Sequence, residues 1–467
     1  MRRDEHGLEL RGTDEAVRHY DRALHELLHF RAAVDAEAKA ALAADPGFVL
    51  GHVLAAYLGV LTTDAAETRA ARDRYAAFRA TLDGPGLLPR ERAHVAAVEA
   101  LLGGDLRACG ALLARITEEH PRDVLALIAG HQIDYLTGDA RALRDRVGGA
   151  LSAWHDDDRH RGHLLGMFAF GLEEAGHYDR SEDVGLRAVE LNPKDVWAIH
   201  AVAHTYEMQG RFRTGLGYLD ARLADWSTGT FFNVHTWWHY ALYALEAGDA
   251  ARALEIYDAV LHGPDAAGMP MDLLDASALL WRLLLEGDGQ DGRWGALADA
   301  WEPLAAEPCS AFNDMHAVMA FVGAGRFAAA DALVANRVAY LEHDLGATNQ
   351  EMTARVGLPV CRALIAYGRG DHERTVDLLW PVRHRLHEFG GSHAQRDVVQ
   401  KTLLEAALRG GRFGHARVLT SERVNVRPCS PFNWLKHAAV ADGLGERGAA
   451  ALARARAADL RGAVGAG

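Results

Sequence analysis

Four cysteines in 467 residues, Cys109, Cys309, Cys361 and Cys429, stand far apart and form no CxxC pair. That spacing argues against a disulfide framework or a zinc knuckle, and fits reduced thiols in the cytoplasm. Long apolar runs are missing: the longest, Gly47 to Leu61, carries His52 and is too short to span a bilayer, so it reads as a buried helix with no membrane partner. The opening residues, MRRDEHGLELRG, lack the apolar core and small-residue cleavage site of a secretory signal. Positive charge is in deficit, Lys and Arg numbering 50 against 64 Asp and Glu for a formal net charge of −14, which argues against nucleic acid as a partner. Absent too are a GxSxG elbow, a GxxxxGK[ST] phosphate loop and a strand-linked GxGxxG. The common nucleophile and nucleotide chemistries are thereby set aside, and none of the cysteines sits in a nucleophile motif.

What the chain has is helix and histidine. Hydrophobic residues at 49% and charged residues at 24% suffice for a sizeable core. Nearly every segment places apolar residues three and four apart, and strand-like alternation is missing, so the class is all-α. Helix pairs share a punctuation of small residue, turn glycine and closing proline, clearest from His163 to Pro193 with Ala169, Gly176, Ala188 and Pro193. The next turn glycine, Gly210, follows Gly176 by 210 − 176 = 34 residues, and Gly248 comes 38 later, after an insertion containing DWSTGTFF. Gly104, Gly325, Gly370, Gly411 and Gly445 mark further turns, and ALAADPGF at 41–48 ends an early second helix.

This pattern resembles the tetratricopeptide repeat. The resemblance implies a tetratricopeptide-like α-solenoid of stacked helical hairpins forming a right-handed superhelix, so the length reflects repetition in one domain over 1–467. The best-defined repeats span 90–262, a longer connection is expected within 263–294, and a C-terminal capping helix with a frayed tail over 446–467. The acidic run Asp156–Asp158 reads as a solvated loop.

The same resemblance implies that the first helix of each hairpin lines a concave groove. In the Gly210 unit its register turns His200, His204, Glu207 and Met208 inward, with the three polar groups on one face at spacings of four and three. In the next unit His235, Trp238 and Leu242 face the groove beside His239 and Glu246; His163, Phe170, Glu173 and Glu174 hold equivalent positions one unit earlier, and His94 does so in the Gly104 unit. A histidine at an apolar helix position is more often a core residue bonded to a carbonyl, but two His-xxx-His pairs on neighbouring inner helices are costly to bury without a partner.

Two imidazoles at i,i+4 can hold one divalent metal ion, completed from the next helix, although Ala201 after His200 removes any HExxH motif. Metal-free proton transfer, with His204 as base and Glu207 as its orienting partner, is equally compatible. Further ligand contacts are expected from His316, from Trp281 and Arg282, and from His393, Arg396 and Asp397 beyond a Gly-Gly pair, with Arg396 as an anion anchor. Asn313 or Asp314 is expected to cap a helix.

The segments AIHAVAHTYEMQGR, NVHTWWHYALYALEAGD, NDMHAVMAFVGAGR and GGSHAQRDVVQKTLLEAAL together resemble the tetratricopeptide repeat protein 38 family over nearly the whole chain. That resemblance implies the helical-repeat fold and no particular reaction. The expectation from the residues is a small polar or anionic ligand around His200, His204, Glu207, His235 and His239, with acid–base or metal-assisted turnover. The alternative is a non-catalytic scaffold for a peptide or protein partner.

Overall fold

The computed structural model describes residues 2–82, 86–263, 266–287, 291–343 and 345–462. Among them the only strands are Arg2–Arg3 and Glu9–Leu10, an antiparallel pair at the N-terminus that the helix-dominated sequence pattern does not announce. Everything else regular is helical, arranged as hairpins. Pro89–Leu102 pairs with Leu106–Glu119, Val124–Leu136 with Ala140–Ala150, Arg161–Glu174 with Tyr178–Leu191, and Val196–Gln209 with Phe212–Ala221. The pattern continues to Pro431–Gly443 and Arg447–Gly462, giving a tetratricopeptide-like α-solenoid of stacked hairpins.

Local chemistry sets the period. All the glycines read as turn markers have left-handed backbone, as does Gly138, and Gly104–Asp105, Gly138–Asp139, Gly248–Asp249 and Gly370–Asp371 act as paired signals. In each the glycine ends one helix at positive φ, and the aspartate accepts a backbone N–H of the next helix as its N-cap. The spacings 138 − 104, 210 − 176 and 445 − 411 are all 34.

The core falls into two clusters, one from Leu10 to Tyr243 and one from Met208 to Val440, and the Asn233–Ala247 helix contributes to both. The expected concave groove is not open. The His393–Arg409 helix packs against the inner helices Val196–Gln209 and Pro270–Leu285, so helices from distant repeats meet across the interior. The Val196–Gln209 helix is in consequence buried continuously from Val196 to Met208. A backbone bond from Phe231 N to Phe30 O (2.9 Å) and another from Thr348 N to Gly104 O (2.9 Å) tie further distant segments together.

Several expectations are corrected by this packing. Between the two glycine-rich segments of 263–294 lies a buried helix, Pro270–Leu285, so connection is confined to its flanks; residues 264–265 and 288–290 lie outside the described residues. The C-terminal segment is helical over Arg447–Gly462, buried through Ala450, Ala453 and Ala457, while the tail 463–467 lies outside the described residues. Asp158 is not simply solvated: it accepts two bonds from Arg122, at 2.7 and 2.8 Å, which with a backbone bond from His155 hold its carboxyl far below the usual range. The capping role falls to Ser310; Asp314 pairs with the buried Arg337 (2.7 Å) and Asn313 donates to the Thr63 carbonyl (3.2 Å).

Candidate functional site

Four histidines meet where the Val196–Gln209 and Asn233–Ala247 helices cross. The i,i+4 spacing puts His200 and His204 on one face and His235 and His239 on the other, so two stripes face each other. Ring centroids lie 4.3 Å apart for His200–His204 and His204–His239, 4.9 Å for His200–His235 and His235–His239, and 5.1 Å for His200–His239. Each residue offers a ring nitrogen within 4.8 Å of those of the others. Phe170, Trp197 and Phe232 wall one side of this cage and Trp238, stacked on His235 at 5.2 Å, closes another.

Both ring nitrogens of His200, His204 and His239 are buried without a hydrogen-bond partner from the protein. A buried polar group left unpaired costs about 1–3 kcal/mol, so three such rings side by side call for a water or an ion between them. Burial, reinforced by the neighbouring imidazoles, holds all three well below the usual imidazole range, so they are neutral bases. Carboxylates stand behind two members: Asp275 Oδ2 lies 2.7 Å from His235 Nδ1, and Glu173 Oε2 lies 3.5 Å from His204 Nδ1. Burial and then the adjacent Glu174 push the Glu173 carboxyl well above its ordinary range. Glu173, Glu174 and His204 form a second set of converging donor atoms at the same place.

The other expected residues divide differently. Glu207, one turn beyond His204, leaves the cage for a small neighbouring cleft of about 10 Å³ that also holds Glu246, Arg282, Asp397 and Lys401. There Arg427 Nη1 lies 3.6 Å from Glu207 and 3.5 Å from Asp397, which also takes a 2.7 Å bond from Arg423. Burial pushes Glu207 up and Lys401 down, and the Lys401 ammonium sits 3.8 Å from the Phe432 ring. Glu246 accepts from Ser430 Oγ at 3.0 Å. The Arg282 guanidinium lies 5.3 Å from the Trp238 ring, so one tryptophan separates cage from cleft.

Arg396 is not a free anion anchor. It donates to Glu174 Oε2 (3.1 Å) and to the Gly391 carbonyl, and His393 Nε2 lies 3.0 Å from the Glu174 carbonyl, so both brace the opposing helix against the cage. Arg282 donates to the Ala278 and Ala394 carbonyls, and Trp281 donates to Thr402 Oγ1 (2.9 Å) as a packing residue. His316 Nδ1 bonds its own helix at the Phe312 carbonyl (2.8 Å), the ordinary core-histidine role. His163 joins a different cluster, its ring 4.3 Å from His29. His94 bonds the buried Asp123 at 2.9 Å.

Sequence reasoning missed Asp275 and a group of histidines near the N-terminus, His6, His25, His29 and His160. A signal was there: His25 and His29 are four apart, the spacing that singled out the cage, and His160 and His163 are three apart, a spacing that also shares one helix face. In this second cluster burial, the largest cause for each ring, lowers His160 to about 2 and His6 and His25 to about 4.

No protein-family model matches the chain. Among solved structures it is similar to human IFIT1, in a dimer with PPP-AAAA, at 15% identity and TM-score 0.35, covering 86% of this chain and 96% of that one. It is also similar to the TPR domain of P58(IPK), at 11% identity and TM-score 0.22, covering 80% and 93%. Among the described residues no helix is long and apolar enough to cross a membrane, and all four cysteines are free thiols.

Proposed function

We propose that this tetratricopeptide-like chain, read as a member of the tetratricopeptide repeat protein 38 family, binds a divalent transition-metal ion in the cage of His200, His204, His235 and His239. The observation that carries the reading is the set of six partnerless, buried ring nitrogens on three of these residues. An imidazole-rich donor set suits zinc, copper, iron or nickel over magnesium or calcium. Asp275 stands where an outer carboxylate orients a metal-ligating histidine, and Glu173, 3.5 Å from His204 without a hydrogen bond to it, adds a further donor group beside the cage. The adjoining cleft, lined by Glu207, Arg282, Asp397 and Lys401, carries charges of both signs but at about 10 Å³ has room for only a water-sized molecule, so a small polar or anionic ligand would enter by displacing side chains, and chemistry there would be metal-assisted. Free thiols and the absence of a membrane-spanning helix among the described residues agree with a cytoplasmic setting.

The hairpin-repeat fold favours a second reading, a scaffold for a protein partner, which rests on fold alone. Helices that touch across the interior leave a peptide little channel there, so such a partner would dock on the outer surface.

Cobalt(II) titration tests the metal reading. Saturating visible absorption in the parent chain, lost in His204→Ala and in His239→Ala with helical circular dichroism retained, supports it. A parent spectrum without ligand-field bands sinks it.

A further inference from the structure

The N-terminal strand pair folds residues 4–8 into a tight loop held from inside. Asp4 accepts the backbone N–H of His6 (3.1 Å) and of Leu8 (2.9 Å), and its other oxygen pairs with the buried Arg90 at 3.1 Å. This fixes Glu5 and His6 against the start of the Arg161–Glu174 helix. His6 Nε2 lies 3.0 Å from His160 Nδ1; Glu5 Oε1 lies 3.3 Å from that same Nδ1 and 3.6 Å from His6 Nε2. His160 is fully buried, and its other nitrogen is 3.1 Å from His25 Nδ1.

Neutral tautomers can aim the His160 Nδ1–H and His6 Nε2–H groups together at Glu5 Oε1, but at 3.3 and 3.6 Å both contacts are longer than an ordinary N–H···O bond. The three atoms converge as a donor set, and one cation would engage all of them at once. Bonds of about 2.0–2.1 Å to a tetrahedral zinc ion separate neighbouring ligand atoms by about 3.3–3.4 Å. The edges of 3.0, 3.3 and 3.6 Å bracket that value. Arg159 engages the second carboxylate oxygen of Glu5 (3.0 Å), leaving Oε1 for the triangle.

We propose that Glu5, His6 and His160 form a second zinc site, distinct in every residue from the four-histidine cage, that staples the N-terminal strand pair to the solenoid. His160 binds through Nδ1 and donates its Nε2 proton to His25, the outer bond that fixes tautomer and ring orientation. The fourth position is left to water, beside the Trp154 ring that packs 4.9 Å from His6. Because two ligands lie in the N-terminal loop and one in the solenoid, the ion couples docking of that loop to zinc concentration.

The test is zinc titration of chelator-treated full-length protein, read by elemental analysis after dialysis and by tryptic cleavage after Arg3 and Arg11. At free zinc about ten times Kd, cleavage of the parent slows about tenfold, because only the docked state binds. Glu5→Gln and His6→Ala each lose one zinc and this protection, whereas His204→Ala loses only the cage ion and keeps the protection. Should His160→Ala not fold, the two loop variants, whose residues lie outside every helix, still decide, with Glu5→Gln nearly isosteric and leaving the His6 packing intact. If the cage reading is wrong, the parent binds a single zinc that His6→Ala abolishes. Zinc content and tryptic protection unchanged in Glu5→Gln and His6→Ala overturn the second site.

Discussion

His235 Nδ1 lies 2.7 Å from Asp275 Oδ2, and both side chains are buried. Because the carboxylate engages one ring nitrogen, the ring is held in one orientation and the other nitrogen is the one that would ligate an ion under the proposed metal reading. Burial raises Asp275 while His235 pulls it back, so the pair is an oriented hydrogen bond in the interior, not a solvent-exposed ion pair.

Asp275→Asn keeps the volume and removes the charge that favours this tautomer. Metal affinity measured by competition with a chelator falls about 10–100-fold, the usual effect of losing an outer carboxylate. His235 remains as a ligand, so stoichiometry at saturating metal is unchanged.

His316 gives a stability prediction with a definite sign. Burial lowers its folded-state value to about 3, against 6.5 for an unperturbed imidazole. Between those values the unfolded chain carries a proton that the folded one lacks, so the contribution of His316 to stability is present above about pH 6.5. It declines as pH falls, by about 1.4 kcal/mol per pH unit. Urea unfolding at several pH values should show a shallower acid slope in His316→Phe than in the parent, by about one proton, with metal binding unaffected.

Gly138 and Gly176 both have left-handed backbone, at φ of 67° and 80°, but only Gly138 is crowded. A Cβ there would lie 1.8 Å from the His387 carbonyl oxygen, whereas nothing lies within 4 Å of one at Gly176. Gly176→Ala therefore costs about 1–2 kcal/mol of backbone strain. Gly138→Ala costs that and a displaced interior contact, so its denaturation midpoint drops by clearly more in side-by-side unfolding.

The fold was legible because its signals are local. Gly210 is a turn glycine by its 34-residue spacing from Gly176, and Gly104 and Gly445 by the helix pairs around them; the Asp caps beside Gly248 and Gly370 are equally local, each within one Gly-Asp dipeptide. The interior was legible only in part. Register on one helix could place His200 beside His204, and the repeat could place both opposite His235 and His239. It could not foresee that the His393–Arg409 helix closes over them, because that contact joins residues about two hundred positions apart. Arg396 illustrates the consequence: alone on its helix it resembles an anion anchor, and its partner Glu174 enters from a distant repeat. Glu207 shares a stripe with His204 yet serves the neighbouring cleft, since one helical turn is enough to pass the Trp238 wall.

Elemental analysis of the purified chain tests the central claim most directly. With zinc supplied and excess removed by dialysis, the parent retains a metal ion that is absent from a His204→Ala/His239→Ala double variant of unchanged helical content. A metal content identical in parent and double variant contradicts the account of the cage.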